Sequence, residues 1–151
     1  MAAGRRDEDM KDLSAWQDYP ATREMYDTMR EDILANAQAA GIPAMKEFTL
    51  ELGIEEMLIN IITYAYDEPG TVWIRARREG DFFRLDFADH GRPFNPLTEE
   101  RCHSKGQAVE DWEEGGLGIH LVRKSFDRIA YAYEDFQGGK ANILSLWLKL
   151  T

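Results

Sequence analysis

The stretch Glu56-Met57-Leu58-Ile59-Asn60 lies in a nearly unbroken apolar run that includes Leu50, Leu52, Ile54, Ile61, Ile62, Tyr64 and Ala65. A segment this apolar predicts a buried helix. Glu56 and Asn60 are four residues apart, so they share one face a turn apart, whereas Glu55 points elsewhere. A carboxylate and an amide facing a core are costly unless something satisfies them. One reading is a capped or solvated polar edge on a core helix. The other is a site, in which Asn60 offers its amide oxygen to a hard cation and Glu56 accepts a proton from water or a hydroxyl.

Upstream of this stretch, Met25, Met29, Ile33 and Ala37 recur every fourth residue and predict an amphipathic helix from about Arg23 to Ala40. Thr22 is its expected N-cap, and Gly41-Ile42-Pro43 stops it. The helical region carrying Glu56 and Asn60 starts at Ala44, is expected to break near Gly53, and ends at Asp67-Glu68-Pro69-Gly70. Residues 1–20 read as a frayed polar tail, with a short edge strand near Met10–Trp16.

Downstream, the period changes to two. Val72, Ile74 and Ala76 alternate with Trp73, Arg75 and Arg77, Glu79-Gly80-Asp81 signals a hairpin, and Phe83, Leu85 and Phe87 share one face of a second strand. From Asp89 to Gly116 no period is sustained, and a loop of that length is usually functional or disordered. A helix is expected over Leu117–Phe126 and a strand over Arg128–Tyr133. A turn at Gln137-Gly138-Gly139-Lys140 then leads to a strand with Leu144, Leu146, Leu148 and Leu150 on one face. Helices first and strands after predict an α+β two-layer sandwich, with helices on one face of a mostly antiparallel mixed sheet.

The chain has 151 residues, enough for one domain with a sizeable core. Its 18 basic and 28 acidic residues leave a formal charge of −10, a poor match for duplex nucleic acid or an anionic membrane. A phosphate ligand stays open, because backbone N–H groups and Mg²⁺ can hold one without a basic patch. The single cysteine, Cys102, permits no internal disulfide, and His90, His103 and His120 lack ligand spacing, so they read as ordinary surface or supporting residues. With no hydrophobic signal core and no run long enough to span a bilayer, the expectation is a cytoplasmic protein.

Two further motifs bear on chemistry. Asp89-His90-Gly91 ends a strand, where a buried Asp can accept a hydrogen bond from an exocyclic amine and a Gly lets a flat ring approach, although an Asp-x-Gly turn is the plainer reading. Gly115-Gly116-Leu117-Gly118 precedes a helix, where N–H groups and the helix dipole favour a phosphate, although a flexible Gly turn reads the same. The order of the motifs is more specific than any of them alone. Helical E-x-x-x-N, strand-end D-x-G and helix-opening G-x-G together resemble the GHKL (Bergerat-fold) ATPase superfamily, from about Arg23 to the C-terminus. Asp89-His90-Gly91-Arg92-Pro93-Phe94-Asn95-Pro96 and Gly139-Lys140-Ala141-Asn142-Ile143-Leu144 are similar to its single-domain anti-sigma factors, which are also serine-protein kinases.

The resemblance implies an ATP-binding domain over residues 21–151, with a lid at about 95–114. It implies that Asn60 coordinates Mg²⁺ on the triphosphate, Glu56 acts as general base, Asp89 recognises the adenine amine beside Gly91, and Gly116 and Gly118 contact phosphates. It also implies a sigma factor and an anti-sigma antagonist as partners, and a possible homodimer. Two positions depart from the pattern. Pro93 stands where a second Gly is common, and Glu113-Glu114 stand where kinase members usually carry a basic residue. Carboxylates near a γ-phosphate are unfavourable, and Arg101 or Lys105 could offset them. The residues thus leave open a protein kinase, a nucleotide-gated binding module, and an interaction domain with a dead pocket.

Overall fold

The computed structural model describes residues 9–98 and 116–151. Five strands form one sheet: β1 (Gln17–Pro20), β2 (Thr71–Glu79), β3 (Phe82–Asp89), β4 (Arg128–Phe136) and β5 (Gly139–Lys149). Their order is β1-β2-β3-β5-β4, and every pairing is antiparallel. Among the described residues, three α-helices accompany the sheet: α1 (Tyr26–Ala39), α2 (Glu47–Asn60) and α3 (Gly116–Ser125). The architecture is the α+β sandwich that the change of period predicts.

Alternation decides which face the helices cover. Val72, Ile74, Phe83, Leu85, Phe87, Leu146 and Leu148 point to one side and join Met29, Ile33, Leu50, Ile54 and Leu58 of α1 and α2 in a single core. The hairpin turns hold the register. Gly80 (φ +61°) starts the β2–β3 turn, and Gln137 (φ +49°) and Gly138 (φ +86°) make the left-handed pair that suits a twisted two-residue hairpin. On the opposite face, arginines do the covering. The Arg84 and Arg128 guanidinium groups lie 4.7 and 4.4 Å from the centre of the Trp147 ring, and Arg75 lies over Trp16. Asp86, fully buried between them, accepts from both Arg75 and Arg84 at 3.0 Å.

Three expectations are corrected. The edge strand lies at Gln17–Pro20 rather than near Met10–Trp16, and among the described residues the stretch around Lys11–Leu13 is docked rather than frayed. Leu13 is fully buried, and its carbonyl accepts from Ala76 N at 2.7 Å. Asp32 and Asn36, a turn apart on α1, accept the Lys11 and Leu13 amides, and the Tyr19 hydroxyl donates to Asp32 Oδ2 at 2.5 Å. Second, α2 does not break at Gly53. A Cβ there would come within 2.6 Å of the Phe126 ring, so this glycine provides clearance for the residue after α3. Third, the helix does not run on to Asp67. After Asn60 it widens into a π turn over Ile61–Ala65, a local irregularity often found beside functional sites.

Candidate nucleotide site

α2 delivers Asn60 to the lining of a cavity. The Asn60 side chain is 8% exposed, and its Nδ2 donates to Glu56 O, one turn back, at 2.7 Å. That bond fixes the amide and turns its oxygen away from the helix backbone. β3 delivers Asp89, 6% exposed, as the last residue of the Phe83-Leu85-Phe87 stripe. Both residues line one cavity of about 490 Å³, counting its open mouth, together with Met57, Phe87, Phe94 and Leu144. An apolar cleft with a few converging polar groups is a common form of small-molecule site.

Asp89 is held in place by its neighbours. Its Oδ1 accepts from Gly91 N at 2.8 Å and from Asn142 Nδ2 at 3.0 Å. Asn142 lies directly opposite Asp89 in the β3–β5 ladder and is 7% exposed. Its Nδ2 also reaches the Gly91 and Arg92 carbonyls, while its Oδ1 accepts from Phe94 N at 3.0 Å and from the Tyr131 hydroxyl. One amide therefore ties together β3, β4, β5 and the segment after Asp89. No role for Asn142 was expected from the sequence. Its signal was its position, an amide in step with the buried stripe of Leu144, Leu146, Leu148 and Leu150.

Gly91 has a nearer reason to be glycine than room for a ring. A Cβ on it would meet the Ala65 carbonyl oxygen at 2.4 Å and the Ala65 Cβ at 2.7 Å. The π turn thus packs directly against the strand end. Gly91→Ala is expected to cost about 1–3 kcal/mol through this overlap, read as a lowered midpoint in thermal unfolding. An unchanged midpoint would mean that the two backbones can separate freely.

Tyr66 closes the same junction. Its hydroxyl accepts from His90 N at 2.8 Å and donates to Thr71 O at 2.5 Å. Burial, the largest effect, raises its pKa above the ordinary tyrosine value; the bond from His90 opposes this and the Asp89 charge adds to it. Folding therefore favours the neutral phenol, and this contribution is lost as alkaline pH rises through the folded value. His90 packs edge-on against Trp73, with ring centres 4.9 Å apart, and its Nδ1 lies 3.0 Å from Lys140 O. This is a supporting role, and His120 is exposed.

The residues singled out from sequence separate into groups. Asn60 and Asp89 share the cavity, and Gly91 adjoins it. Glu56 does not line the cavity; it is partly buried one turn before Asn60. Gly116 and Gly118 fall within the first turn of α3, not in a turn before it, and α3 packs against α2. Arg101, Cys102, His103, Lys105, Glu113, Glu114, Gly115 and most of the expected lid lie outside the described residues. Among the described residues no cluster of three His, Cys, Asp or Glu side chains could cage a metal ion, and no helix is long and apolar enough to cross a membrane.

Comparison with known proteins extends this picture. A serine-protein kinase, RsbW of Halalkalibacterium halodurans, is 25% identical over 113 residues, covering 73% of this chain and 70% of that protein. Among solved structures, the histidine kinase domain of the Erythrobacter litoralis EL346 blue-light activated histidine kinase aligns with TM-score 0.47 and 14% identity, over 83% of this chain and 61% of that one. The Acinetobacter baumannii histidine kinase AdeS aligns with TM-score 0.47 and 15% identity, over 89% and 68%. The profile of the histidine kinase-like ATPase domain matches residues 19–146, nearly the whole described fold, and the chain belongs to that family.

Proposed function

We propose that the chain binds ATP with Mg²⁺ and acts as a serine/threonine protein kinase that also holds a regulatory protein partner. One observation carries this reading: the fixed amide of Asn60 and the buried carboxylate of Asp89 converge on one apolar cavity. A flat adenine suits the apolar walls, and Asp89 would accept its amino group. Asn60 offers a neutral oxygen donor. Mg²⁺ favours oxygen donors, is commonly held by few protein groups together with waters and substrate phosphates, and so needs no protein cage. When bound, the ion would neutralise charge on the triphosphate. Gly116 and Gly118, in the first turn of α3, are the residues assigned to backbone contact with phosphate, a role that helix N-termini commonly serve.

Glu56 is the residue assigned to receive the acceptor hydroxyl's proton. The phosphoryl acceptor is a protein of the anti-sigma antagonist type, and the held partner is a sigma factor. Both assignments rest on the resemblance to anti-sigma kinases. A second reading, a nucleotide-gated holder without efficient transfer, is favoured by Glu113-Glu114, which would oppose a γ-phosphate.

Calorimetry with ATP in the presence of Mg²⁺ tests the common ground of both readings: saturable heat is expected, and its absence removes both. Asn60→Ala is expected to bind ATP with little dependence on Mg²⁺. If that variant binds Mg-ATP as the parent does, the metal assignment is wrong.

A further inference from the structure

The sequence of α2 is apolar on nearly every side, and a helix of that kind is expected to be covered on every side. The fold covers only part of it. Leu50, Ile54 and Leu58 enter the core, and Gly53 packs against Phe126. The outward side carries Phe48, Leu52, Glu55 and Ile59, and Met45 continues it into the turn before the helix. Met45 is 85% exposed and Phe48 78%, the highest values for large apolar side chains among the described residues. Leu52 and Ile59 are half-buried. At helical spacing Met45, Phe48, Leu52 and Ile59 make one ridge about 21 Å long. Its start is pinned, because Lys46 Nζ donates to Lys149 O at 2.6 Å and to Thr151 O at 3.0 Å. Methionine and phenylalanine are among the residue types enriched where proteins meet.

An acidic row runs beside the ridge. Glu47, Glu51 and Glu55 follow one another every four residues on the flank toward α1. Three contacts fix that placement. Gln38 of α1 donates to Glu47 at 3.2 Å, Arg30 of α1 pairs with Glu51, and Tyr26 of α1 has its pKa raised by burial and then by the Glu55 charge. Glu24 and Asp27, both exposed, carry negative charge on toward the start of α1. Arg30, the cation between the two helices, is already engaged by Glu51.

Several covers fit this surface poorly. A second copy of the same ridge or an anionic bilayer would bring like charge against the acidic row. Residues 99–115 hold six acidic and two basic residues and meet the same repulsion. An added strand would find no backbone partner, because the groups of α2 bond within the helix. What remains is a partner that docks through side chains and brings positive charge. We propose that the ridge holds an amphipathic helix of a protein partner, with apolar anchors at i, i+3 or i+4 and i+7 and lysine or arginine along the flank that meets the acidic row. This adds a surface and a recognition chemistry to the partner-holding part of the functional reading, and it does not rest on nucleotide binding.

Calorimetry of the full chain with three synthetic peptides of about 16 residues, long enough to span the ridge as a helix, tests it. The first carries leucine at helical spacing and lysine elsewhere, the second has glutamate in place of lysine, and the third is the first with its order shuffled. The lysine helix is expected to bind saturably, and the other two at least about tenfold more weakly. Met45→Ser with Phe48→Ser should weaken the lysine helix by at least about tenfold, the effect of leaving one large apolar side chain unburied. Glu55→Lys should weaken it by about two- to fivefold, as for an exposed ion pair. Tyr133→Ser, exposed on β4 away from α2, should leave it unchanged.

Thermal unfolding reads any loss of fold in the variants. None of the four substituted residues lines the nucleotide cavity, so Mg-ATP heat from the same proteins reports failure of that reading separately. No saturable binding of the lysine helix, equal binding of the glutamate or shuffled peptide, or folded ridge variants that bind as the parent does would each overturn the proposal.

Discussion

Asp89→Asn is expected to lower affinity for Mg-ATP by about ten- to a hundredfold, the range of a hydrogen bond to a charged group, with little loss of fold. The change is isosteric. One oxygen can remain where Asp89 Oδ1 now accepts from Gly91 N and Asn142 Nδ2. The other position becomes an amide donor and would face the adenine amine donor to donor. The same donor suits a 6-oxo purine, so the ATP-over-GTP preference should narrow or invert. Calorimetry with both nucleotides reads the effect. Equal ATP affinity in parent and variant would show that the base does not meet this carboxylate.

Glu56→Gln should leave Mg-ATP affinity within about threefold and slow phosphoryl transfer by about 10²–10⁴-fold, the usual contribution of a general base. Glu56 is partly buried one turn before Asn60 and does not line the cavity, so removing its charge should leave the surroundings of Asp89 intact. Transfer of labelled phosphate from ATP to an antagonist-type protein is the measurement. Unchanged transfer would place the base elsewhere. If the parent binds ATP and transfers nothing, the kinase reading falls, and the nucleotide-gated holder then takes its place.

The two-layer architecture was legible because it follows from local periodicity. Val72-Ile74-Ala76 and Leu144-Leu146-Leu148-Leu150 alternate, Met29-Ile33-Ala37 recur at helical spacing, and burial follows those patterns. The two polar residues that line the cavity, Asn60 and Asp89, were legible for a related reason. Asn60 and Asp89 are polar groups on otherwise apolar faces, and such groups attract attention one at a time.

Asn142 was less visible, since its importance comes from five bonds to groups that are distant in sequence or on other elements. The docking of Leu13 was hidden for the same reason. It depends on Asp32 and Asn36, more than twenty residues away on α1. Gly53 and Gly91 looked like a helix breaker and a ligand-facing position. Their nearest neighbours prove to be Phe126 and Ala65.

Patterns repeated every two or four residues were thus enough to establish the sandwich, the order of helices and strands, and the two polar groups that share the cavity. Folding in three dimensions decided how Asp89 is oriented and why Gly53 and Gly91 are glycines. Periodicity reports which side of an element faces the core. A hydrogen-bond partner or a close backbone contact, by contrast, exists only once separate elements have been packed together.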